Sequence, residues 1–407
     1  MPPTPLLFLC PRVPWPLYTG AKIRTQALLG ALQRHFIIDY MGFLQPDLSE
    51  PEARKVLEGC RSVTLEPEPV TSAPSKAWLV LRTLAGPQPV TIAKYQRASL
   101  AGRARNWMLA NPRGIVHADH LHMAPYLQAG PPTVRRAIDE HNVEWRILAR
   151  MDEMVHNRLM QPYLRLQTAR LRRFEAATVR QADLVLAVSE NDAAELAAMA
   201  PQTRIEVIPN GVNLDYFTPP PADHAPRPGR LVFSGSMDWL PNQDAMIYFV
   251  REVLPLLRER FRRPEPWSLD IVGLAPPPAI QALATGGARV SGTVPDVRPY
   301  LREAAVYVVP LRIGGGSRLK ILEAFAMGVP VVSTSVGCEG LGVEHEKQLL
   351  VAETPEAFAQ AVARLAGDGR LRETLTRQAW LHVQEYHGWE AIGRKLTGLY
   401  KHLNDPL

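Results

Sequence analysis

Short apolar runs recur along this chain and alternate with longer segments of helical spacing. This alternation constrains the fold more than any other feature of the sequence. Residues 6–9 form an apolar run that is typical of a buried strand, and Pro-rich sequence follows them. Residues 21–35 then place apolar side chains at helical spacing, and residues 36–38 form the next apolar run. The pattern predicts an α/β fold in which helices connect the strands of a parallel sheet.

The alternation continues in two series, which a Pro-rich stretch at residues 219–229 separates. Further strands are predicted at residues 114–118, 134–138, 184–188, 205–208, 230–234, 269–272, 290–291, 306–309 and 329–333. Helices are predicted at 192–199, 244–257, 297–304 and 318–327, and helical sequence at 355–403 with breaks near Gly367 and Gly388. We therefore predict two tandem, doubly wound Rossmann-like domains, with a ligand in a cleft at the carboxyl ends of their strands. The predicted borders are 1–212, 213–387 and a final helix at 388–407 that packs back toward the first domain.

Several classes of protein are excluded by composition. The three cysteines are scattered, so no disulfide framework is indicated, and no Cys-x-x-Cys pair suggests a zinc site. No apolar run approaches the roughly 20 residues that span a bilayer, and the N-terminus lacks the basic leader of a signal peptide. We expect a cytoplasmic protein. Basic residues are not interleaved with aromatic ones, which argues against nucleic-acid binding.

Positive charge is concentrated between Arg146 and Arg180, a segment that contains eight arginines and three acidic residues. The segment has helical composition. It is expected either to contact an anionic partner, which is an anionic acceptor or the lipid at the inner face of the plasma membrane, or to form a solvated helical hairpin. Its composition is compatible with both interpretations.

The segment richest in chemical information is a glycine-rich loop that leads into a helix, residues 314–330. Consecutive glycines let backbone amides approach an anion, and a helix N-terminus favours negative charge. Gly316, Lys320 and Glu323 fall on one helical face, while the opposite stripe is apolar. A glycine, then a cation, then a carboxylate suits a diphosphate followed by a ribose. The spacing is equally that of a glycine turn before a helix with a Lys–Glu surface pair.

With these motifs, the sequence resembles the retaining GT-B glycosyltransferases of family 4 (glycosyl transferases group 1). The resemblance covers nearly the whole chain. It is carried by an ordered series of motifs at residues 185–190, 208–212, 233–237, 271–273, 292–297 and 314–341, together with the glycine at position 20. The run Asp-Glu-His-Asn-Val-Glu at 139–144 is similar to sugar transferases of bacterial exopolysaccharide clusters, including those beside PEP-CTERM systems.

The resemblance implies transfer of a sugar from a nucleotide diphosphate sugar to a hydroxyl of a lipid-linked or polysaccharide acceptor, with retention of configuration. No cofactor and no metal are expected, and no Asp-x-Asp motif is present. The implied roles fall into three groups. The donor diphosphate is assigned to Gly20, Gly316, Ser317, Arg318 and Lys320, the ribose to Glu323, and the nucleobase pocket to Gly235 and Val294.

This chain departs from the family pattern at two places. The first signature glutamate of the family, which is directed at the donor sugar, falls on Gly315. The Arg and Lys that follow the first strand of the second domain in many relatives fall near Ser236 and Pro241. We infer that Arg318 and Lys320 supply the missing positive charge. Arg24 is expected either near the donor phosphate or in solvent.

Two polar clusters follow predicted strands of the first domain. His120 and Asp119 are the candidate catalytic residues because relatives carry a sugar-contacting His in this region. Strand alternation sends His120 and His122 to one side and Asp119 to the other, if the strand extends that far. The alternative is a solvated polar strand end.

The second cluster contains His141, Asn142 and Glu144, which are assigned to the acceptor or sugar side. A capping or hinge role is the alternative for these three residues. Two other functions remain open for the whole chain. One is a nucleotide-sugar 2-epimerase, and the other is a non-catalytic partner that binds a sugar nucleotide or a glycan.

Overall fold

The computed structural model describes residues 3–69, 72–154, 160–221, 224–313 and 319–403. The chain divides into two compact units, which we call unit 1 (Met1–Pro209 and Gly393–Leu407) and unit 2 (Asn210–Ile392). The last helix, Trp389–His402, therefore belongs to unit 2 up to Ile392 and to unit 1 from Gly393.

The strands of unit 1 are β1 (Pro5–Cys10), β2 (Ile37–Leu44), β3 (Ser62–Pro67), β4 (Ile115–Asp119), β5 (Arg135–Glu140), β6 (Leu184–Ala187) and β7 (Ile205–Val207). Within the described residues they form one parallel sheet of seven strands, in the order β3-β2-β1-β4-β5-β6-β7. The helices are α1 (Gly20–Gln33), α2 (Glu50–Val56), α3 (Ala73–Ala85), α4 (Val90–Ala93), α5 (Ala98–Ala110), α6 (Glu144–Met154), α7 (Gln161–Gln181) and α8 (Glu190–Met199). A 3₁₀ segment covers Leu121–Ala129.

The strands of unit 2 are β8 (Arg230–Ser234), β9 (Ser268–Val272), β10 (Ala288–Gly292), β11 (Val306–Val309), β12 (Val331–Ser333) and β13 (Leu350–Val351). In the described part of unit 2 they form a second parallel sheet, in the order β10-β9-β8-β11-β12-β13. Its helices are α9 (Leu240–Tyr248), α10 (Leu254–Arg260), α11 (Pro278–Gln281), α12 (Arg298–Glu303), α13 (Leu319–Ala326), α14 (Pro355–Gly367), α15 (Gly369–Tyr386) and α16 (Trp389–His402).

Both sheets are buried on both faces. Every residue of β4, β6 and β11 is buried, as strands covered by helices on both sides require. These strands therefore appear in the sequence as unbroken apolar runs, and the predicted α/β class with parallel sheets is confirmed. Because all the strands of each sheet run the same way, their carboxyl ends collect at one edge, where ligands of such folds bind.

The sequence prediction missed two strands, β3 and β13, and both lie at an edge of their sheet. An edge strand pairs with a strand on one side only and is more exposed to solvent. It therefore needs fewer apolar side chains, and its sequence pattern is weaker. The helix predicted at 244–257 was also wrong in its bounds. It begins earlier, as α9, and a π turn over Phe249–Val253 separates it from α10. Pro255 explains the interruption, because proline cannot donate the backbone hydrogen bond of a regular helix.

Candidate functional site

In unit 2, α13 is buried on almost every side. Of its eight residues, only Lys320 and Glu323 are partly exposed, and the remaining six are buried. The helix thus places its two charged residues on the open face and its apolar residues against the protein, as their spacing predicts. The preceding loop, which contains Gly314, Gly315, Gly316, Ser317 and Arg318, lies outside the described residues, and so do the roles predicted for it.

The Lys320 ammonium is held at the carboxyl end of β8. Its Nζ donates a hydrogen bond to Asn242 Oδ1 at 2.9 Å and lies 4.1 Å from the centroid of the Phe233 ring. Asn242 in turn donates from Nδ2 to the Ser236 carbonyl oxygen at 2.7 Å, which fixes the orientation of its amide. An ammonium group that is held in place at this edge of the sheet is suited to bind an anionic ligand.

Gly235 leaves the space that the Lys320 ammonium occupies. A Cβ added at Gly235 would lie 2.6 Å from Lys320 Nζ and 2.9 Å from Asn242 Nδ2, and the backbone φ of +156° disfavours other residues there. Val294, the other residue predicted for the nucleobase pocket, follows β10, and β9 lies between β10 and β8 in the sheet. The structure therefore places Gly235 with Lys320.

Glu323 is a partly buried carboxyl group one turn beyond Lys320. Burial raises its pKa to about 7, and the positive charge of Lys320 only partly opposes this effect. Within the described residues, its carboxylate has no hydrogen-bond partner. The group is close enough to Tyr307 to raise the pKa of that phenol, though burial of the phenol is the larger cause. The Glu323 carboxylate lies one turn from Lys320 and has hydrogen-bond acceptors to spare, so it is suited to bind hydroxyl groups of a ligand.

In unit 1, the two predicted polar clusters meet because β4 and β5 are neighbours. Asp119 and Asp139 are paired in register at the ends of these strands. The imidazole rings of His120 and His141 stack with their centroids 3.5 Å apart. The His141 Nε2 lies 3.0 Å from Asp119 Oδ1 and 3.2 Å from Asp139 Oδ2, so it bridges both carboxylates.

Arg24, for which solvent was one expected location, is instead buried in unit 1. Its side chain is 1% exposed and donates to both oxygens of Asp139, at 2.9 and 2.6 Å. It also donates to the carbonyl oxygens of Ile208 and Pro209. The reason is that α1 directs Arg24 at the end of β5, where the buried Asp139 requires a positive partner.

The protonation states of this cluster follow from its contacts. Burial alone would raise the pKa values of Asp119 and Asp139, but the positive groups around them hold both pKa values well below normal. Burial alone would lower the pKa of His141, but the two carboxylates raise it to about 9. At neutral pH the cluster therefore contains two anions and two cations, the second cation being Arg24, and its net charge is zero.

His120 has a strained backbone and an open ring nitrogen. Its φ of +73° and ψ of +149° lie in a region that is largely restricted to glycine. Nδ1 lies 2.8 Å from Asp119 Oδ2, and an ionised carboxylate only accepts, so Nδ1 carries the proton. Burial, followed by the positive charge of His141, lowers the pKa of His120, so the ring is neutral. Nε2 then presents a lone pair, and in the described residues nothing donates to it.

The alternation predicted for β4 does not apply beyond Asp119, because the strand does not extend that far. Asp119 and His120 were expected on opposite sides, yet their side chains are hydrogen-bonded. The strand ends at Asp119, and the positive φ of His120 reverses the chain before the 3₁₀ segment begins. His122 still lies near His120, with ring centroids 6.0 Å apart, and its pKa is lowered to about 3, mainly by burial.

The remaining predicted residues of unit 1 lie at helix starts near this cluster. Glu144 is the first residue of α6, and burial raises its pKa to about 7 although His141 and Asn142 oppose the shift. Asn142 is partly buried. Gly20 is exposed as the first residue of α1, and Thr19 at the N-cap makes no side-chain hydrogen bond to the helix amides.

Two sets of residues in the described cluster have atoms close enough to ligate a cation. They are Asp119 with His120 and His141, and His117 with Asp119 and Asp139. The first set would have to release the proton of His141. The Asp119 carboxylate already accepts from Thr25, His120 and His141, so a cation would displace existing donors. The charge balance of the cluster fits an internal ion network better than a metal site.

The basic segment from Arg146 to Arg180 falls on α6 and α7, with residues 155–159 outside the described part. Several of its arginines contact other parts of unit 1. Arg146 pairs with Glu195 at 2.6 Å and Arg165 with Asp152 at 3.1 Å, while Arg180 donates to the Met199 carbonyl oxygen. None of the described helices is both long enough and apolar enough to cross a bilayer.

Sequence reasoning missed three groups that complete the two sites. Thr25 donates to Asp119 at 2.9 Å, and the Cys10 thiol donates to the same carboxylate at 3.2 Å. Asn242 accepts from Lys320. Cys10 ends β1, a position where a polar side chain reaches the carboxyl edge of the sheet, so its place in the strand pattern could have identified it. Thr25 and Asn242 give no such local signal.

Comparisons with known proteins agree with this architecture. The family described as Glycosyltransferase Family 4 matches residues 66–216, and the one described as Glycosyl transferases group 1 matches residues 228–368. The D-inositol 3-phosphate glycosyltransferase of Jonesia denitrificans is 30% identical over 256 residues, which cover 56% of this chain and 58% of that protein. The chain thus spans little more than half the length of the curated relatives it matches.

Solved structures match over almost the whole chain. Sucrose-phosphate synthase from Thermosynechococcus elongatus has a TM-score of 0.72 at 20% identity, covering 98% of this chain and 99% of that one. Anabaena HepE in complex with UDP-glucose has a TM-score of 0.64 at 14% identity, with 98% and 99% covered. The two parallel sheets and these neighbours define the fold as that of the GT-B glycosyltransferases. Within this class, residues 66–216 match glycosyltransferase family 4, and residues 228–368 match the group 1 glycosyl transferases.

Proposed function

We propose that this chain transfers a sugar from a nucleotide diphosphate sugar to a hydroxyl of a lipid-linked or polysaccharide acceptor, with retention of configuration. One observation carries the proposal. On α13, an otherwise buried helix, the partly exposed positions hold a lysine and a carboxyl group that accepts no hydrogen bond from the described residues. The matches of the two halves to glycosyltransferase family 4 and to the group 1 glycosyl transferases support the same activity.

The donor contacts follow from unit 2. We assign the diphosphate to Lys320, whose ammonium Asn242 holds at the end of β8. Gly235 keeps that space open, so we move it from the nucleobase pocket to the phosphate site. The ribose hydroxyls are assigned to Glu323, because a carboxylate accepts from two neighbouring hydroxyls. Val294 stays a prediction for the nucleobase pocket.

The diphosphate is the leaving group, and its negative charge grows as the bond to the sugar breaks. A positive group already in place stabilises that charge without reorganisation, which lowers the barrier. In this proposal Lys320 supplies the charge, and no divalent metal is required. Gly20, Gly316, Ser317 and Arg318 stay predictions for the same phosphates, and the domain borders at 212 and 387 also stay predictions.

In unit 1, His120 is proposed to contact the transferred sugar or the acceptor. Its neutral ring offers the Nε2 lone pair to a hydroxyl hydrogen, and Asp119 fixes the ring through Nδ1. The strained backbone of His120 supports a functional role, because such strain persists mainly where function requires it. His122, Asn142 and Glu144 are proposed to shape the same polar site, and His141 to position Asp119.

The substrate is the part of the proposal that needs the widest test. Anabaena HepE was solved with UDP-glucose, and the curated relatives are named for D-inositol 3-phosphate. UDP-glucose is therefore the first donor to test, together with the diphosphates of guanosine and adenosine. D-inositol 3-phosphate and a lipid-linked sugar are the first acceptors.

The test measures thermal unfolding of the purified chain with each nucleotide diphosphate, and then product formation with each acceptor. We expect one nucleotide to raise the unfolding midpoint of the wild type and not that of Lys320→Ala. Isomerised donor in the absence of any acceptor would instead indicate the epimerase. Binding with neither transfer nor slow donor hydrolysis would indicate a non-catalytic partner. If no nucleotide diphosphate shifts the midpoint, the proposal is wrong.

A further inference from the structure

Helix α3 in unit 1 has apolar side chains on opposite faces, although only one face is covered. On the inner side, Leu79 and Thr83 are buried. On the outer side, Trp78 is 68% exposed, Leu81 60% and Leu84 46%. Their spacing of three residues places them along one ridge of the helix. A helix that is apolar all round is normally buried on all sides, so the outer ridge lacks a neighbour among the described residues.

The ridge is part of a larger apolar surface. Val80 on the same helix is 36% exposed, and Leu166 on α7 is 38% exposed. Leu166 lies one helical turn before Arg170, whose guanidinium donates to the carbonyl oxygens of Thr83 and Leu84 at the end of α3. Helix α7 therefore adjoins α3 with Leu166 and Arg170 on the same face. Exposed apolar side chains grouped on one helix and on the helix that adjoins it mark an interaction surface rather than scattered surface residues.

The stretch of sequence that contains α3 carries only basic charges. From residue 69 to residue 118 the chain contains seven Lys and Arg residues and no Asp or Glu. One of them, Arg82, is exposed on α3 itself, and on α7 Arg173 is exposed three residues beyond Arg170. A 50-residue stretch without an acidic side chain is complementary to an anionic surface and repels a basic one.

We propose that α3 is an interfacial anchor that lies in the plane of an anionic phospholipid bilayer. Trp78, Leu81 and Leu84 enter the boundary between headgroups and acyl chains, while Arg82 and Arg173 face the headgroup phosphates. Tryptophan and leucine on one side of a helix, bordered by arginine, is the composition of helices that bind this boundary. The 13 residues of α3 extend about 20 Å, which suits a helix lying on a membrane.

This placement changes the role of the basic segment between Arg146 and Arg180. Arg146, Arg165 and Arg180 are engaged within unit 1, so in this proposal the segment contributes mainly through its other arginines, and α3 supplies most of the apolar side chains. The inference does not depend on the proposed transferase activity, because binding to vesicles needs neither nucleotide nor acceptor.

The test is co-sedimentation with vesicles of phosphatidylglycerol and phosphatidylethanolamine, compared with vesicles of phosphatidylcholine alone. We expect the wild type to sediment with the anionic vesicles only. Trp78→Ser combined with Leu81→Ser and Leu84→Ser should lower the partition coefficient about 100-fold, because three apolar side chains no longer leave water. All three side chains are exposed, so the variant should unfold at the wild-type temperature, which a thermal scan checks.

Two further variants separate charge from apolar burial. Arg82→Glu with Arg173→Glu should lower the partition coefficient about tenfold, and added salt should reduce wild-type binding in the same direction. The matched control is Leu381→Ser with Tyr386→Ser on α15, which removes exposed apolar groups elsewhere and should bind like the wild type.

Three outcomes would overturn the proposal. The wild type could fail to sediment with anionic vesicles, or the triple serine variant could bind as tightly as the wild type. The third outcome is self-association of the wild type in sedimentation velocity, lost in the triple variant, without vesicle binding. That result would assign the ridge to a contact between copies of this chain.

Discussion

Units 1 and 2 both place charged side chains at the carboxyl ends of parallel strands, but the two sets differ in how the charges are balanced. In unit 1, Asp119 and Asp139 are buried and receive hydrogen bonds from Arg24 and His141, so the charges neutralise one another. In unit 2, Glu323 has no donor within the described residues, and Lys320 donates to Asn242 and lies over the Phe233 ring.

The difference separates a scaffold from a binding site. In a closed ion network, the charged side chains hold one another in place. The ring nitrogen left to contact a ligand is Nε2 of His120. A carboxyl group such as Glu323, which has no donor among the described residues, is stabilised less by its own protein and more by a ligand. Substitutions in unit 1 should therefore cost folding stability, whereas substitutions in unit 2 should cost binding.

The largest effect is expected at Asp139. Asp139→Asn leaves the buried Arg24 guanidinium without its carboxylate, and it should lower the free energy of unfolding by about 3–5 kcal/mol. Urea denaturation at neutral pH measures this. Replacing both partners, with Arg24→Met and Asp139→Leu, should recover part of the loss because no charge is left buried. Asp215→Asn, at an exposed position, is the control. A loss at Asp139 no larger than at Asp215 would contradict the closed network.

Lys320→Ala should show the opposite pattern. Turnover should fall about 10²- to 10³-fold, because a charge that stabilises the leaving group is lost. The free energy of unfolding should change by less than about 1 kcal/mol, since Lys320 is only partly buried. Lys347→Ala, which removes an exposed lysine of the same unit, should leave turnover unchanged. Equal turnover in the Lys320 and Lys347 variants would place the diphosphate elsewhere.

The pH dependence of the free energy of unfolding tests the protonated His141 in the ion network of unit 1. The pKa of His141 is about 9 in the folded protein against 6.5 ordinarily. Its contribution is therefore fully present below pH 6.5 and is lost as the pH rises toward 9, which should reduce the free energy of unfolding by about 2–3 kcal/mol. His141→Asn should remove this dependence, and NMR titration of the His141 ring in the wild type provides a second measurement. A ring that titrates near 6.5 would show that the carboxylates do not hold the proton.

The smallest effect is expected at Glu323, where stability and binding should move in opposite directions. Burial raises its folded pKa from 4.5 to about 7, so its ionised form is unfavourable for folding above that pH. Glu323→Gln should raise the free energy of unfolding at alkaline pH by about 1 kcal/mol. It should also weaken nucleotide diphosphate binding about tenfold in calorimetry, because an amide accepts fewer hydroxyls. Unchanged affinity would remove the ribose role.

Much of the fold was predictable because apolar spacing is a local property. The run at residues 306–309 and the alternation of faces on α13 are set by neighbours in sequence, and both appear in the structure as expected. The positions of the two polar clusters were also predictable, since each follows an apolar strand. The edge strands β3 and β13 were not, because half-exposed strands carry a weaker pattern.

The sequence by itself determined that this chain forms two parallel α/β sheets, that α13 has one charged face, and that polar residues gather where strands end. Only the tertiary structure decided which of those residues pair. Arg24 lies 115 positions from Asp139, and Thr25 lies 94 positions from Asp119, so no local rule relates them. The tertiary structure also decided that one face of α3 is left open. The physical reason is that spacing sets the face a side chain points to, whereas its partner depends on which distant segment the sheet brings alongside.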